Sequence, residues 1–212
     1  MSFLISDQKN HFPSLPLPLY TSHVLADAQI DPFGQCHIIV GLSMRTIEQL
    51  CTLSADQTDA ALAQTNDQTR FASVESTETW YAKGRTVFAL QHATSQNLMA
   101  VVWIGPKPLE LSIHHPFDTI QTNNLPTSST EDTWDTLSYR SYPPYRGKGF
   151  MTDFVRYILT IYQAEYPNRR LWIGVNRSNT ASLTLAKKLS FTTVNTTKVD
   201  STRILLILDS SL

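Results

Sequence analysis

Tyr145-Arg146-Gly147-Lys148-Gly149-Phe150-Met151 is the stretch on which the reading of this chain turns. It follows a strand-like run from Trp134 to Tyr142 and a Pro143-Pro144 turn. Beyond it, Met151, Phe154, Val155, Ile158, Leu159 and Tyr162 recur at a spacing that predicts a helix ending before Pro167. The first amides of a helix have no partner inside it and sit at the positive end of its dipole, so such a terminus binds anions. Gly147 and Gly149 let the main chain approach a ligand without a Cβ in the way, while Arg146 and Lys148 add charge that a pyrophosphate would complement. The spacing is not that of a Walker loop, and the three-glycine dinucleotide fingerprint is absent, which disfavours a nucleoside triphosphate. On these residues alone, a basic turn ahead of a surface helix describes the segment equally well.

Working outward, Leu171 to Val175 reads as a buried strand. Asn179 opens a helix to about Leu189, and Phe191 to Thr197 and Arg203 to Leu208 read as two closing strands. Upstream, Thr86 to Gln91 and Leu98 to Ile104 form a hairpin around the polar turn Ala93 to Asn97. Ser73 to Ala82 begins with a capping residue and ends before Gly84, as helices do. Cys36 to Leu42 reads as a first strand, and Met44, Ile47 and Cys51 follow at helical spacing. Ser54 to Gln68 is polar and Ala-rich. Residues 1–34, with Pro13, Pro16, Pro18 and Pro32, are expected as an extended arm ahead of a single domain at 35–212. The proline-interrupted segment at about 106–133 is expected as an insertion.

With two motifs in order, the chain resembles the GNAT N-acetyltransferase superfamily. The phosphate loop of that family follows Arg/Gln-x-x-Gly-x-Gly/Ala; Arg146-Gly147-Lys148-Gly149-Phe150-Met151 matches it except for Met151 in the last, small position. Asn179, Ser182, Leu185, Lys188, Ser190 and Phe191 are similar to the family's Asn-x-x-Ser-x-x-Val-x-x-Lys-x-Gly-Phe, with Ser190 where glycine is usual. The likeness covers residues 134–208 well and the arm and insertion hardly at all.

The resemblance implies an α/β fold: a mixed, mostly antiparallel sheet of about seven strands flanked by helices, its fourth and fifth strands splayed. It implies acetyl-CoA as cosubstrate, with the pyrophosphate on the amides of Gly147, Lys148, Gly149, Phe150, Met151 and Thr152. The pantetheine arm would pair with the backbone of Tyr139, Arg140 and Ser141. It also implies that Asn179, followed by Ser182, contacts the arm. A helix N-cap is the alternative role for Asn179, and the two can coexist.

Acyl transfer to an amine needs a neutral nucleophile, donors for the developing oxyanion and, in some enzymes, an acid for the leaving thiolate. The family often places a tyrosine acid seven residues after the motif asparagine; Ala186 stands there. Tyr139, Tyr142 and Tyr145 are alternative acids, and Asp135, Glu78, Glu110, His114 and His115 are alternative bases, none with decisive spacing. The adjacent histidines alone make no zinc site, so no metal is expected. A catalyst acting on a primary amine and a non-catalytic acyl-CoA-binding module of the same fold therefore both stand as readings.

The 17 Lys and Arg against 18 Asp and Glu give a formal charge of -1, so no basic field attracts nucleic acid. Cys36 and Cys51 are the only cysteines, too few for a disulfide framework, and free thiols suit a cytoplasmic protein. No apolar run approaches membrane-spanning length. Monomer and homodimer are both compatible with the sequence.

Overall fold

Nearly every residue of Thr86–His92 and Leu98–Pro106 is buried, so this hairpin is shielded on both faces and lies deep in a sheet. The computed structural model describes residues 2–8, 13–59, 61–62, 65–109, 134–194 and 202–208. Its sheet is mixed, mostly antiparallel, open and nine-stranded, with flanking helices. In chain order the elements are β1 (Phe3–Gln8), β2 (Ser22–Ile30), β3 (Gly34–Gly41), α1 (Met44–Ser54), α2 (Asp67–Arg70), α3 (Val74–Tyr81), β4 (Thr86–His92) and β5 (Leu98–Pro106). There follow β6 (Trp134–Ser141), α4 (Met151–Glu165), β7 (Arg170–Asn176), α5 (Thr180–Lys188), β8 (Thr192–Thr193) and β9 (Arg203–Leu208).

Two compact units divide the chain. The first comprises Met1–Gly105 and Ser138–Ile158, the second Pro106–Leu137 and Leu159–Leu212, and both β6 and α4 contribute to each. In the first, β1 to β5 form an antiparallel meander. Against it Ile47 and Leu50 of α1 and Trp80 and Tyr81 of α3 join Val87, Ala89, Val101, Trp103 and Tyr142 in one buried cluster. The helix starts are specified locally. Ser43 accepts from the Thr46 amide, and Ser73 and Ser76 form a reciprocal capping box.

The nine strands exceed the seven expected because residues 1–34, anticipated as an arm, contain β1 and β2, both paired into the sheet. Pro13, Pro16 and Pro18 fall between those strands and Pro32 in the turn after them, so the prolines mark connections. The inward face of β2 is carried by Ala26, Ala28 and Ile30, all buried. Alanine is a poor strand former, which is why the alternation is faint in the sequence.

In the second unit β7 is central. It pairs antiparallel with β9 from Leu171 to Asn176 and parallel with β6 only over Trp134–Thr136 opposite Arg170–Trp172. That parallel register has lapsed by Leu137, while β7 continues to Asn176. The strand expected at 191–197 is reduced among the described residues to β8, which pairs with β9. Residues 195–201 and most of the expected insertion, 110–133, lie outside the described residues, and Glu110, His114 and His115 with them.

A candidate anion site at the start of the fourth helix

Gly147 and Gly149 adopt φ of 76° and 87°, backbone that a β-carbon would strain. A Cβ built on Gly147 would meet no atom within 4 Å, so glycine is required there by the turn and the space beside it is open. The first helical bond of α4 runs from the Phe154 amide to the Phe150 carbonyl at 3.0 Å. Among the described residues, none of the amides from Gly147 to Asp153 donates to a protein acceptor. The Arg146 amide, in contrast, is used, donating to the Tyr142 carbonyl at 3.0 Å. A run of unused donors thus lies at the positive end of a 15-residue helix.

Both flanks of this run are pinned. The Tyr142 amide donates to the Met99 carbonyl of β5 at 3.0 Å. Phe33, in the turn between β2 and β3, packs edge-on against Tyr145 and Phe150, with centroids 5.1 and 6.3 Å away. Arg146 places Nη1 and Nη2 on the two carboxylate oxygens of Asp59, each at 2.5 Å, and Nε on the Ser141 carbonyl at 3.0 Å. Its guanidinium, expected to offer charge to a ligand, is therefore held by Asp59. The positive side chain left on the loop is Lys148, exposed and without a partner among the described residues. The Ser141 carbonyl, expected to pair with a ligand amide, already accepts one bond.

The neighbouring side chains of β6 are similarly engaged. Arg140 donates through Nε to Asp67 at 2.7 Å, and Arg70 reaches the other oxygen of that buried carboxylate at 2.7 Å. Arg70 also lies over the ring of Trp103 at 5.1 Å, which fastens α2 to the aromatic core. Tyr142 is wholly buried, and its hydroxyl has no hydrogen-bond partner among the described residues. Burial and, secondarily, Asp67 push its phenol far above the usual range, so it stays protonated and sealed from solvent.

The candidate catalytic groups separate clearly. Asp135 is buried and accepts from the Tyr162 hydroxyl at 2.9 Å, a bond that ties α4 to β6, and from Arg169 in the connection after α4 at 3.3 Å. Glu78 is half-buried on α3 with no side-chain partner among the described residues, and Tyr139 is half-buried on β6. Asn179 caps α5, its Oδ1 accepting from the Ser182 amide at 2.9 Å. Ala186, at the position where the resembling family carries its tyrosine, is wholly buried. The sequence offered no sign of Asp59, Asp67 or Phe33: Phe33 and Asp59 sit in connections and Asp67 opens the four-residue α2, and each acquires its role from a partner far along the chain.

A family model described as acetyltransferase (GNAT) domain matches residues 46–192. Solved structures share the fold at low identity. The GNAT domain of S. lividans PAT superposes with a TM-score of 0.57 at 12 % identity, covering 87 % of this chain and 96 % of that one. A spermidine N-acetyltransferase from Vibrio cholerae, solved in complex with CoA and spermine, gives 0.52 at 12 % identity, covering 80 % and 92 %. A ribosomal-protein-S5-alanine acetyltransferase from Vibrio fischeri gives 0.51 at 12 % identity, covering 82 % and 93 %. No curated protein matches the sequence. No helix among the described residues is long and apolar enough to cross a membrane.

Proposed function

This chain belongs to the GNAT acetyltransferase family, whose members use acetyl-CoA, and on that premise we propose that it transfers the acetyl group to a primary amine. The observation that carries the reading is the run of amides from Gly147 to Thr152, at the start of α4, that have no acceptor among the described residues. Those amides receive the pyrophosphate, Lys148 adds a screened charge at its edge, and the backbone of Tyr139 and Arg140 faces the pantetheine arm. The solved relatives named for spermidine and for ribosomal-protein alanine acetylation support an amine as acceptor.

The thioester supplies an acyl carbon and a thiolate leaving group. The new C–N bond forms as the C–S bond breaks, and the proton of the amine ends on the thiolate or in solvent. With Ala186 buried, Asp135 bonded and Tyr142 sealed, the candidates left among the described residues for proton handling are Glu78, Tyr139 and Tyr145. Free thiols at Cys36 and Cys51 fit a cytoplasmic setting.

Calorimetric titration with CoA, paired with thiol-release assays on acetyl-CoA and a panel of primary amines, tests the proposal. Binding and turnover are expected, with Lys148→Ala weakening CoA by a few-fold, the magnitude of an exposed charge pair of about 0.2–1 kcal/mol. CoA binding without thiol release on any amine would favour the second reading, a non-catalytic acyl-CoA-binding module, which the loss of the family tyrosine at Ala186 supports. Absence of CoA binding would defeat both.

A further inference from the structure

We infer that Asp59 is a positioning residue for the phosphate loop, acting through Arg146; the inference rests on the reading that Gly147–Thr152 receives pyrophosphate. The Asp59 side chain is 3 % exposed and that of Arg146 31 %. Asp59 is itself held, one carboxylate oxygen accepting from the Ala61 amide at 3.1 Å and its carbonyl from the amide of buried Leu62 at 2.9 Å. The carboxylate thus stands on a fixed peg and grips both terminal nitrogens of Arg146 in a fork, the strongest and most directional form of this pairing. The third guanidinium donor, Nε, closes back onto the Ser141 carbonyl.

With its side chain held at three nitrogens and its amide bonded to Tyr142, Arg146 has little freedom. Its α-carbon is the last fixed point before Gly147, where the unused amides begin. A donor array stabilises an anion most when its geometry is set before binding, because the cost of ordering it is already met. Asp59 sets that geometry at the strand end of the loop, while Phe33 braces the helix end at Phe150. Neutralising Arg146 is the corollary: the loop binds through main-chain donors, and its motif arginine acts as a strut.

The competing possibility, that Arg146 reaches the phosphates directly, makes the opposite prediction. Removing Asp59 would then release a cation and leave CoA affinity unchanged or higher. The experiment titrates the full chain and its Asp59→Asn, Asp59→Glu and Arg146→Lys variants with CoA and with pantetheine, which lacks every phosphate. We expect Asp59→Asn and Arg146→Lys each to weaken CoA by about tenfold, in the range of coupling between adjoining sites, with Asp59→Glu recovering part of the loss. Pantetheine affinity should stay level, a selectivity that a general loss of packing would not produce. Asp59→Glu, which keeps the charge and displaces the fork, carries the test should Asp59→Asn fail to fold: a phosphate-selective loss relative to the unaltered chain is expected, where direct contact of Arg146 with phosphate would give none. Unchanged or tighter CoA binding in these variants overturns the inference alone, as does a parallel loss of pantetheine. A wild-type chain that binds no CoA overturns the functional reading and this inference with it.

Discussion

Phe33 stands edge-on to Tyr145, centroids 5.1 Å apart and planes at 79°, so the turn between β2 and β3 abuts the glycine loop 112 residues later in the chain. The pair lies in a favourable aromatic arrangement, and the second contact with Phe150 places one ring against both flanks of Gly147–Gly149. Replacing Phe33 by Ala should cost about 1–3 kcal/mol of stability through lost packing and aromatic contact. It should also weaken CoA binding, because the donors then have to be ordered by the ligand. Chemical denaturation and calorimetry on the same variant check both halves, and intact CoA affinity would detach the brace from binding.

Ser190 ends α5 with φ of 66°. Its amide bonds the Lys187 carbonyl and the Phe191 amide bonds the Ala186 carbonyl, at 3.1 and 3.0 Å, the paired bonds of a Schellman cap. A side chain in this conformation costs about 1–2 kcal/mol relative to glycine, partly offset by the greater unfolded-chain entropy of glycine. Ser190→Gly should therefore raise the melting temperature by roughly 2–4 °C for about 1 kcal/mol gained. A thermal melt that moves down instead would show the serine hydroxyl to be worth more than the strain.

Ala186 invites restoration of the family tyrosine, and the structure predicts that this fails. The Ala186 side chain is wholly buried beside the cap residue Phe191, itself 3 % exposed. A phenol there must displace core, at a cost of about 1–3 kcal/mol or more. Ala186→Tyr is expected to lower the unfolding midpoint and leave thiol release no faster. A stable variant with raised kcat would mean the site opens in a way the packing does not indicate.

Arg146 beside Asp59 holds that carboxyl below its ordinary value of 3.8. Between the two values the unfolded chain binds more protons, so the pair contributes fully above 3.8 and is lost as pH falls through the lower folded-state value. Urea unfolding of wild type and Asp59→Asn from neutral pH down to about pH 3 should show the stability gap narrowing toward the acid end. A gap that widens on acidification would contradict the pairing.

Much of the chain after Gly149 is legible in the sequence. The helix after Gly149, the strand at 171–175 and the helix opened by Asn179 appear as α4, β7 and α5, with the cap predicted for Asn179 in place. These features are set within one or two turns of chain, by periodicity, by a capping side chain and by glycine's access to positive φ. The N-terminal strands are less transparent. β1 and β2 are hidden in residues 1–34 because prolines crowd the connections around them and alanines line the inward face of β2.

What the sequence by itself determined was local: the hairpin, the amphipathic helices and a glycine turn whose amides start a helix. What only the tertiary structure decided was how charge is disposed around that turn. Arg146 and Asp59 are 87 positions apart and Arg140 and Asp67 are 73 apart, so no window of sequence contains either pair. A guanidinium next to a glycine loop reads as a ligand for phosphate until the fold brings a buried carboxylate to it. At that point the two-bond fork to the carboxylate engages the guanidinium, against the desolvation cost of burying the charges, and the free donors beside it are those of the backbone.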